Sequence, residues 1–227
     1  MYLTKSALIL SFTVASWAQL TPRLATITAV GDASVSVTPD LAHVDVGVTS
    51  QAATAQEATS QNATQSAAVI TALQGLIGTG ADIKTISYSL SPVYNNPPAG
   101  QSATIIGYSV TNVVEVTLTD TTLIGKVIDT SIQNGANRVQ GVSFGLQDMN
   151  PPRAQALKSA AARARAQADA IAAGLNVHTG AVLHAAEGVS TTSPGVRAGV
   201  ASTVTTPIET GLVVVSATVT LEVAITP

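Results

Sequence analysis

The 227-residue chain carries 10 Lys and Arg against 13 Asp and Glu, a formal net charge of −3, and only 10% of its residues are charged. That balance supplies no basic patch for nucleic acid or for an anionic lipid surface. It is 46% hydrophobic but 3% aromatic and has no cysteine, so the core is expected to be Val, Ile, Leu and Ala. Neither a disulfide framework nor a cysteine-linked lipid anchor is available.

Met1 to Ala18 has the three parts of an export signal. Lys5 gives a positive start, Ala7 to Ala15 is a short apolar run, and Ser16-Trp17-Ala18 sets small residues at the third and first positions before a cut. Cleavage is expected after Ala18, leaving 19–25 as a linker to a domain over 26–225. The apolar run is too short for a hydrocarbon core of roughly 30 Å, so no stable membrane insertion is expected after cleavage. The net charge becomes about −4 once Lys5 leaves.

From Ala25 to Val37 the odd positions are apolar or small and the even ones mostly Thr, Ser and Asp, the two-residue period of a half-buried strand. Gly31-Asp32 is a candidate bulge. Thr38-Pro39-Asp40 reads as a turn, and the next strand should bury Ala42, Val44, Val46 and Val48, the two forming an antiparallel pair. Gln51 to Ile77 changes to helical spacing through Ala55, Ala58, Asn62, Val69, Leu73 and Leu76, and Gly78 and Gly80 stop it. Asn62 sits on the apolar stripe, which predicts a buried amide bonded to backbone. Asn62-Ala63-Thr64 is formally a glycosylation sequon, but mid-helix placement argues against its use.

Ile83 to Leu90 reads as a strand, Ser91 to Ala103 as a Pro/Asn/Gly loop, and Ile106 to Leu118 as a long alternating strand. Asp120 should cap a helix from Thr121 to Gln133 that ends at Asn134-Gly135, ahead of a strand over Ala136 to Gln147. Asn150-Pro151-Pro152 opens an Ala-rich helix, with Asn150 as its cap. Its expected apolar face is Ala154, Leu157, Ala161, Ala164, Ala168 and Ile171, and it stops at Gly174. A strand over Asn176 to Glu187, a flexible Ser/Thr/Gly/Pro loop over 188–207 and a closing strand over Val213 to Ile225 complete the chain.

Several of these landmarks are carried by short runs: Ile27-Thr28-Ala29-Val30-Gly31 through Pro39-Asp40-Leu41-Ala42, Gly107-Tyr108, Gly135-Ala136-Asn137-Arg138-Val139 leading to Val142-Ser143-Phe144, the Ala/Arg-rich Ala154 to Ala173, and Pro207-Ile208-Glu209 before Val215-Ser216-Ala217-Thr218-Val219. In this order the set resembles the SIMPL domain family of exported bacterial proteins, from about Thr26 to Ile225. The resemblance implies an α+β domain, mostly antiparallel sheet packed by about three helices, in the periplasm or outside the cell. It also implies frequent homo-oligomers, a loose association with envelope or oxidative stress, and no established catalytic activity. The 188–207 loop departs from it by its length.

Gly141-Val142-Ser143-Phe144-Gly145 fits the nucleophile pattern G-x-S-x-G, with Asp148 or Asp169 and then His178 or His184 following in hydrolase order. The alternation around it, however, puts Ser143 in mid-strand, whereas a nucleophile elbow needs a sharp strand-to-helix turn. His178 and His184 fall on one face of a strand, roughly 20 Å apart at about 3.3 Å per residue, too far for one metal ion. Arg153, Lys158, Arg163 and Arg165 could gather an anion, but a solvated helix face is the simpler reading. Gly78-Thr79-Gly80 lacks the following Lys-Ser/Thr of a phosphate loop.

The sequence therefore assigns no catalytic, cofactor or metal residue. It points to an exported, non-enzymatic envelope protein that acts by self-assembly or by contact with an envelope protein partner. Two other classes compete: a serine hydrolase using Ser143, and a small-ligand carrier with an apolar cleft, for which aromatic lining is scarce.

Overall fold

A computed structural model describes residues 24–78, 82–192, 197–198 and 208–227. The expected export signal, its cleavage point, Gly80 and most of the 188–207 loop lie outside the described residues. In chain order the first elements are β1 (Thr26–Val37), β2 (Leu41–Ala52), α1 (Ala55–Ile77), β3 (Asp82–Tyr94), β4 (Ile105–Leu118) and α2 (Ile124–Gln133). They are followed by β5 (Arg138–Gly145), α3 (Asn150–Gly174), β6 (His178–Thr192), β7 (Arg197–Ala198), β8 (Ile208–Glu209) and β9 (Val213–Thr226).

The expected α+β class holds, but the strands form two main antiparallel sheets, ordered β1-β9-β6 and β3-β4-β2-β5. β1 and β2 do not form the expected pair: β1 lies against β9 along its whole length, and β2 is flanked by β4 and β5. Thr38-Pro39-Asp40 is thus a crossing between sheets. Asp40 pins it to the far end of β5, its carboxylate accepting from the Gln147 N–H at 2.8 Å.

In the first sheet, alternation sends Ile27, Ala29 and Ala33 of β1 and Ala217, Val219, Leu221 and Val223 of β9 toward α3. The helix meets them with Ala156, Ala160, Ala164, Ala168 and Ala172. Of the expected face, Ala164 and Ala168 lie in this stripe and Leu157 and Ala161 pack half-buried beside it, while Ala154 and Ile171 are exposed. In a helix so rich in alanine the apolar period is weak, and the packing partner decides. That partner is Gly31, where an added Cβ would overlap the Ala160 carbonyl oxygen and the Ala164 amide nitrogen. Gly31 is therefore not a bulge, and its register with β9 is unbroken. The α3 cap also differs from expectation: the Asp148 carboxylate accepts from the Asn150 N–H at 2.8 Å. The left-handed residue beyond the helix is Asn176, at φ 56°.

The second sheet carries a bulkier core of Val44, Val46, Val48, Val114, Val116, Leu118 and Phe144 under Val69 and Leu73 of α1 and Ile124, Val127 and Ile128 of α2. Asn62 is the buried amide the sequence predicts, 1% exposed. Its Nδ2 donates to the carbonyls of Val48 at 2.9 Å and Val110 at 3.3 Å. That ties α1 to both central strands and removes the nitrogen a glycan would need. Asp120 caps as expected, accepting from the Thr122 N–H at 2.9 Å, but over a 3-10 turn that precedes α2.

Two expected loops are shorter than predicted. β3 runs on through Ser91 to Tyr94, so the connection to β4 covers only 95–104. Pro92 is tolerated because β3 is an edge strand. Likewise Gly188 to Thr192 belong to β6, paired with β9 as far as Val214.

Candidate functional site

Two surfaces of the second sheet stand out, one ionisable and one free of charge. On the face turned away from α1, register sets Asp45 opposite Glu115, and His43 between Thr117 and Ser143. Lys84 reaches Glu115 at 3.0 Å. His43 Nδ1 lies 3.7 Å from the same carboxylate and 3.3 Å from Thr117 Oγ1. Asp45 Oδ1 is shielded from solvent with no hydrogen-bond partner among the described residues. Desolvation, reinforced by the Glu115 charge, raises the Asp45 pKa above its ordinary value, against a smaller lowering by His43. The hydrogen bond and charge of Glu115 raise that of Lys84. The surroundings therefore favour the protonated form of Asp45. Among the described residues no three His, Asp or Glu side chains converge as a metal site.

The competing hydrolase constellation does not come together around Ser143. Ser143 sits in mid-strand on β5, as predicted, with no elbow. His178 and His184 lie on β6 in the other sheet. The imidazole beside Ser143 is instead that of His43, which no chain-order motif indicates.

The arginines do not form an anion cluster. Arg163 donates to the Asp32 carbonyl at 2.7 Å on the β1 edge. Arg165 donates to the Gly180 carbonyl at 3.1 Å and Thr179 Oγ1 at 2.8 Å on the β6 side, and Arg153 pairs with Glu187 at 2.9 Å. They fasten α3 to both edges of its sheet. A cavity of about 640 Å³ at the end of α3 is lined by Arg165, Asp169, Asn176, His178 and Thr179, with only Ala172, Ala173 and Val177 as apolar lining. Arg165, Asp169 and Thr179 bond to one another there, so this is not the apolar cleft a carrier would offer.

The second surface is the β3–β4 hairpin. Ile86, Tyr88, Leu90, Tyr94, Ile105 and Ile106 are 47–62% exposed. Sequence reading placed its strands but put Ser91 to Ala103, Tyr94 included, in a loop and did not single the surface out; the signal available was the absence of any charge from Thr85 to Val114.

Residues 27–223 match the SIMPL family, described as a protein of unknown function (DUF541). The chain belongs to the SIMPL family. It is also 30% identical over 166 residues to the 26 kDa periplasmic immunogenic proteins of Brucella melitensis biotype 1 and Brucella abortus strain S19. Each alignment covers 69% of this chain and 66% of the relative, so the chain spans a little under two thirds of those relatives.

The SIMPL landmarks quoted above hold the fold together. Gly31 seats α3, and Gly107 lets β4 pass the Ala52 carbonyl, which an added Cβ would meet at 2.9 Å. Gly135 turns at φ 113°. Asn137 then ties that turn to β2, accepting from the Thr49 N–H at 2.9 Å and donating to the Thr49 carbonyl at 2.7 Å.

Proposed function

We propose that this SIMPL chain is an exported periplasmic protein that works by self-assembly or protein contact, without catalysis. One observation carries the reading. Each main sheet ends in a long strand, β3 in one and β6 in the other, that is exposed along nearly its whole length. Among the described residues no further strand pairs with their outer edges. An open strand edge is a template for another chain unless it is blunted or covered.

The export signal read in Met1 to Ala18 and the relatives named as periplasmic support the location. No helix among the described residues is long and apolar enough to cross a membrane. Light scattering of the mature protein over a concentration series tests the reading. Assembly is expected; a monomer at high concentration contradicts it. The family association with envelope or oxidative stress belongs to this reading, and unchanged survival of a deletion strain under detergent and peroxide would remove it.

A serine hydrolase is the second reading, favoured by the register that places Ser143 beside His43, with Glu115 at the imidazole's other side. Against it, Ser143 lies on a flat strand rather than on the turn that lifts a nucleophile clear of its ladder. A fluorophosphonate probe decides: labelling lost in Ser143→Ala supports it, and no labelling ends it.

A further inference from the structure

We propose that the β3–β4 hairpin is where a second copy of this chain docks, β3 against β3 about a twofold axis normal to the sheet. The proposal rests on the self-assembly reading and names its surface.

The sequence marks this segment first. Thr85 to Val114 is the longest run in the chain without Asp, Glu, Lys, Arg or His. Charged side chains are what usually keep sheet edges apart; here the nearest on β3 is Lys84, already held by Glu115 at 3.0 Å. The run also contains Tyr88, Tyr94 and Tyr108, while the other described aromatic, Phe144, is buried. Tyrosine enrichment and charge depletion distinguish interface cores from ordinary surface.

The backbone then arranges the strip. Ile83 faces the core under α1, opposite Val116. A register shift between Thr85 and Ser87 inserts Ile86 as an extra residue. Without it, alternation would send Tyr88 and Leu90 to the opposite face from Ile83. With it, they pair with Asn112 and Val110 on the helix-covered side. There α1 lies over β2 and β4, and α2 lies over β2. The β3 end of the same face keeps Tyr88 at 55% and Leu90 at 47% exposed.

A second copy fits this surface best. A neutral strip gains nothing from a charged partner, and its unpaired edge needs the donors and acceptors that another edge supplies. An axis normal to the sheet maps even positions onto even positions. Tyr88 and Leu90 of each copy would then share one face with those of the other, an isologous contact. Pro92 removes one donor, so the shared ladder centres on Ser87 to Ser91. A membrane is a poorer partner, because the hairpin would enter it with its polar tip, 95–104, first. A glycan would leave Ile86, Leu90, Ile105 and Ile106 unserved.

The test uses the mature chain and its lack of cysteine. Leu90→Lys and Leu90→Asp each place like charges across the axis; their equimolar mixture places opposite ones. The expected result is an assembled wild type, at least a twofold drop in mass for each variant alone, and recovery of mass in the mixture. Ser89→Cys, which faces its own copy when the ladder centres on Ser87 to Ser91, should form a disulfide-linked dimer on mild oxidation, whereas Ser190→Cys on β6 should not form it under the same conditions. Assembled wild type with variants of unchanged mass, or with no Ser89→Cys crosslink, overturns the surface while self-assembly stands. A monomeric wild type overturns both.

Discussion

The two sheets solve the same packing problem with opposite materials. Under α3 the contact is built from Ala156, Ala160, Ala164, Ala168 and Ala172 against Gly31, so helix and strand backbones approach closely. Under α1 and α2 it is built from Val, Leu, Ile and Phe, so the layers are held apart by side chains. The lesson is that each half is vulnerable in a different direction. The first cannot accept added carbon, and the second cannot lose it.

The largest effect is expected from removing carbon in the second core. Leu73 is fully buried, and Leu73→Ala should cost about 2–5 kcal/mol from lost transfer energy and the cavity left behind, measured by urea unfolding. Adding carbon to the first core comes next. Gly31→Ala should cost about 1–3 kcal/mol, because the added Cβ would meet helix backbone and not a movable side-chain end. If Gly31→Ala is neutral, the close-approach account of α3 is wrong.

A smaller effect sharpens the contrast on the open face of the second sheet. Asp45 has a raised folded pKa, so the folded state holds its proton more tightly than the unfolded chain. Stability contributed by that proton is present at low pH. It is lost as pH rises from the ordinary value near 3.8 through the raised one. Asp120 acts in reverse: its carboxylate, lowered by hydrogen bonds from Thr122, contributes stability that is lost as pH falls below 3.8. Asp45→Asn should therefore flatten the decline above that value and leave the acid-side loss unchanged. An unaltered pH profile would show that burial and the Glu115 charge do not raise the Asp45 pKa.

Much of this was legible from residues whose burial follows local period alone. Val44, Val46 and Val48 point inward by alternation, and Asn62 was readable as a buried amide because it interrupts an apolar stripe. What was not legible depends on partners distant in sequence. Whether β1 pairs with β2 or with β9 is a choice between equally alternating strands, settled by β2 having both edges taken. The α3 stripe is ambiguous because alanine occupies neighbouring faces, and only Gly31 selects one. The phase of Tyr88 and Leu90 depends on one extra residue at Ile86, and the His43, Asp45 and Glu115 cluster exists only once β2 and β4 are in register.

The most direct test of the central claim is amide hydrogen exchange along β3, read from Thr85 to Tyr94 at low and high protein concentration. The account predicts that the outward-facing amides of this stretch, those not bonded to β4, exchange quickly when the protein is dilute and become protected as it is concentrated, while β9 is protected throughout. Equal, fast exchange of those outward-facing amides at every concentration, with β9 still protected, would contradict it.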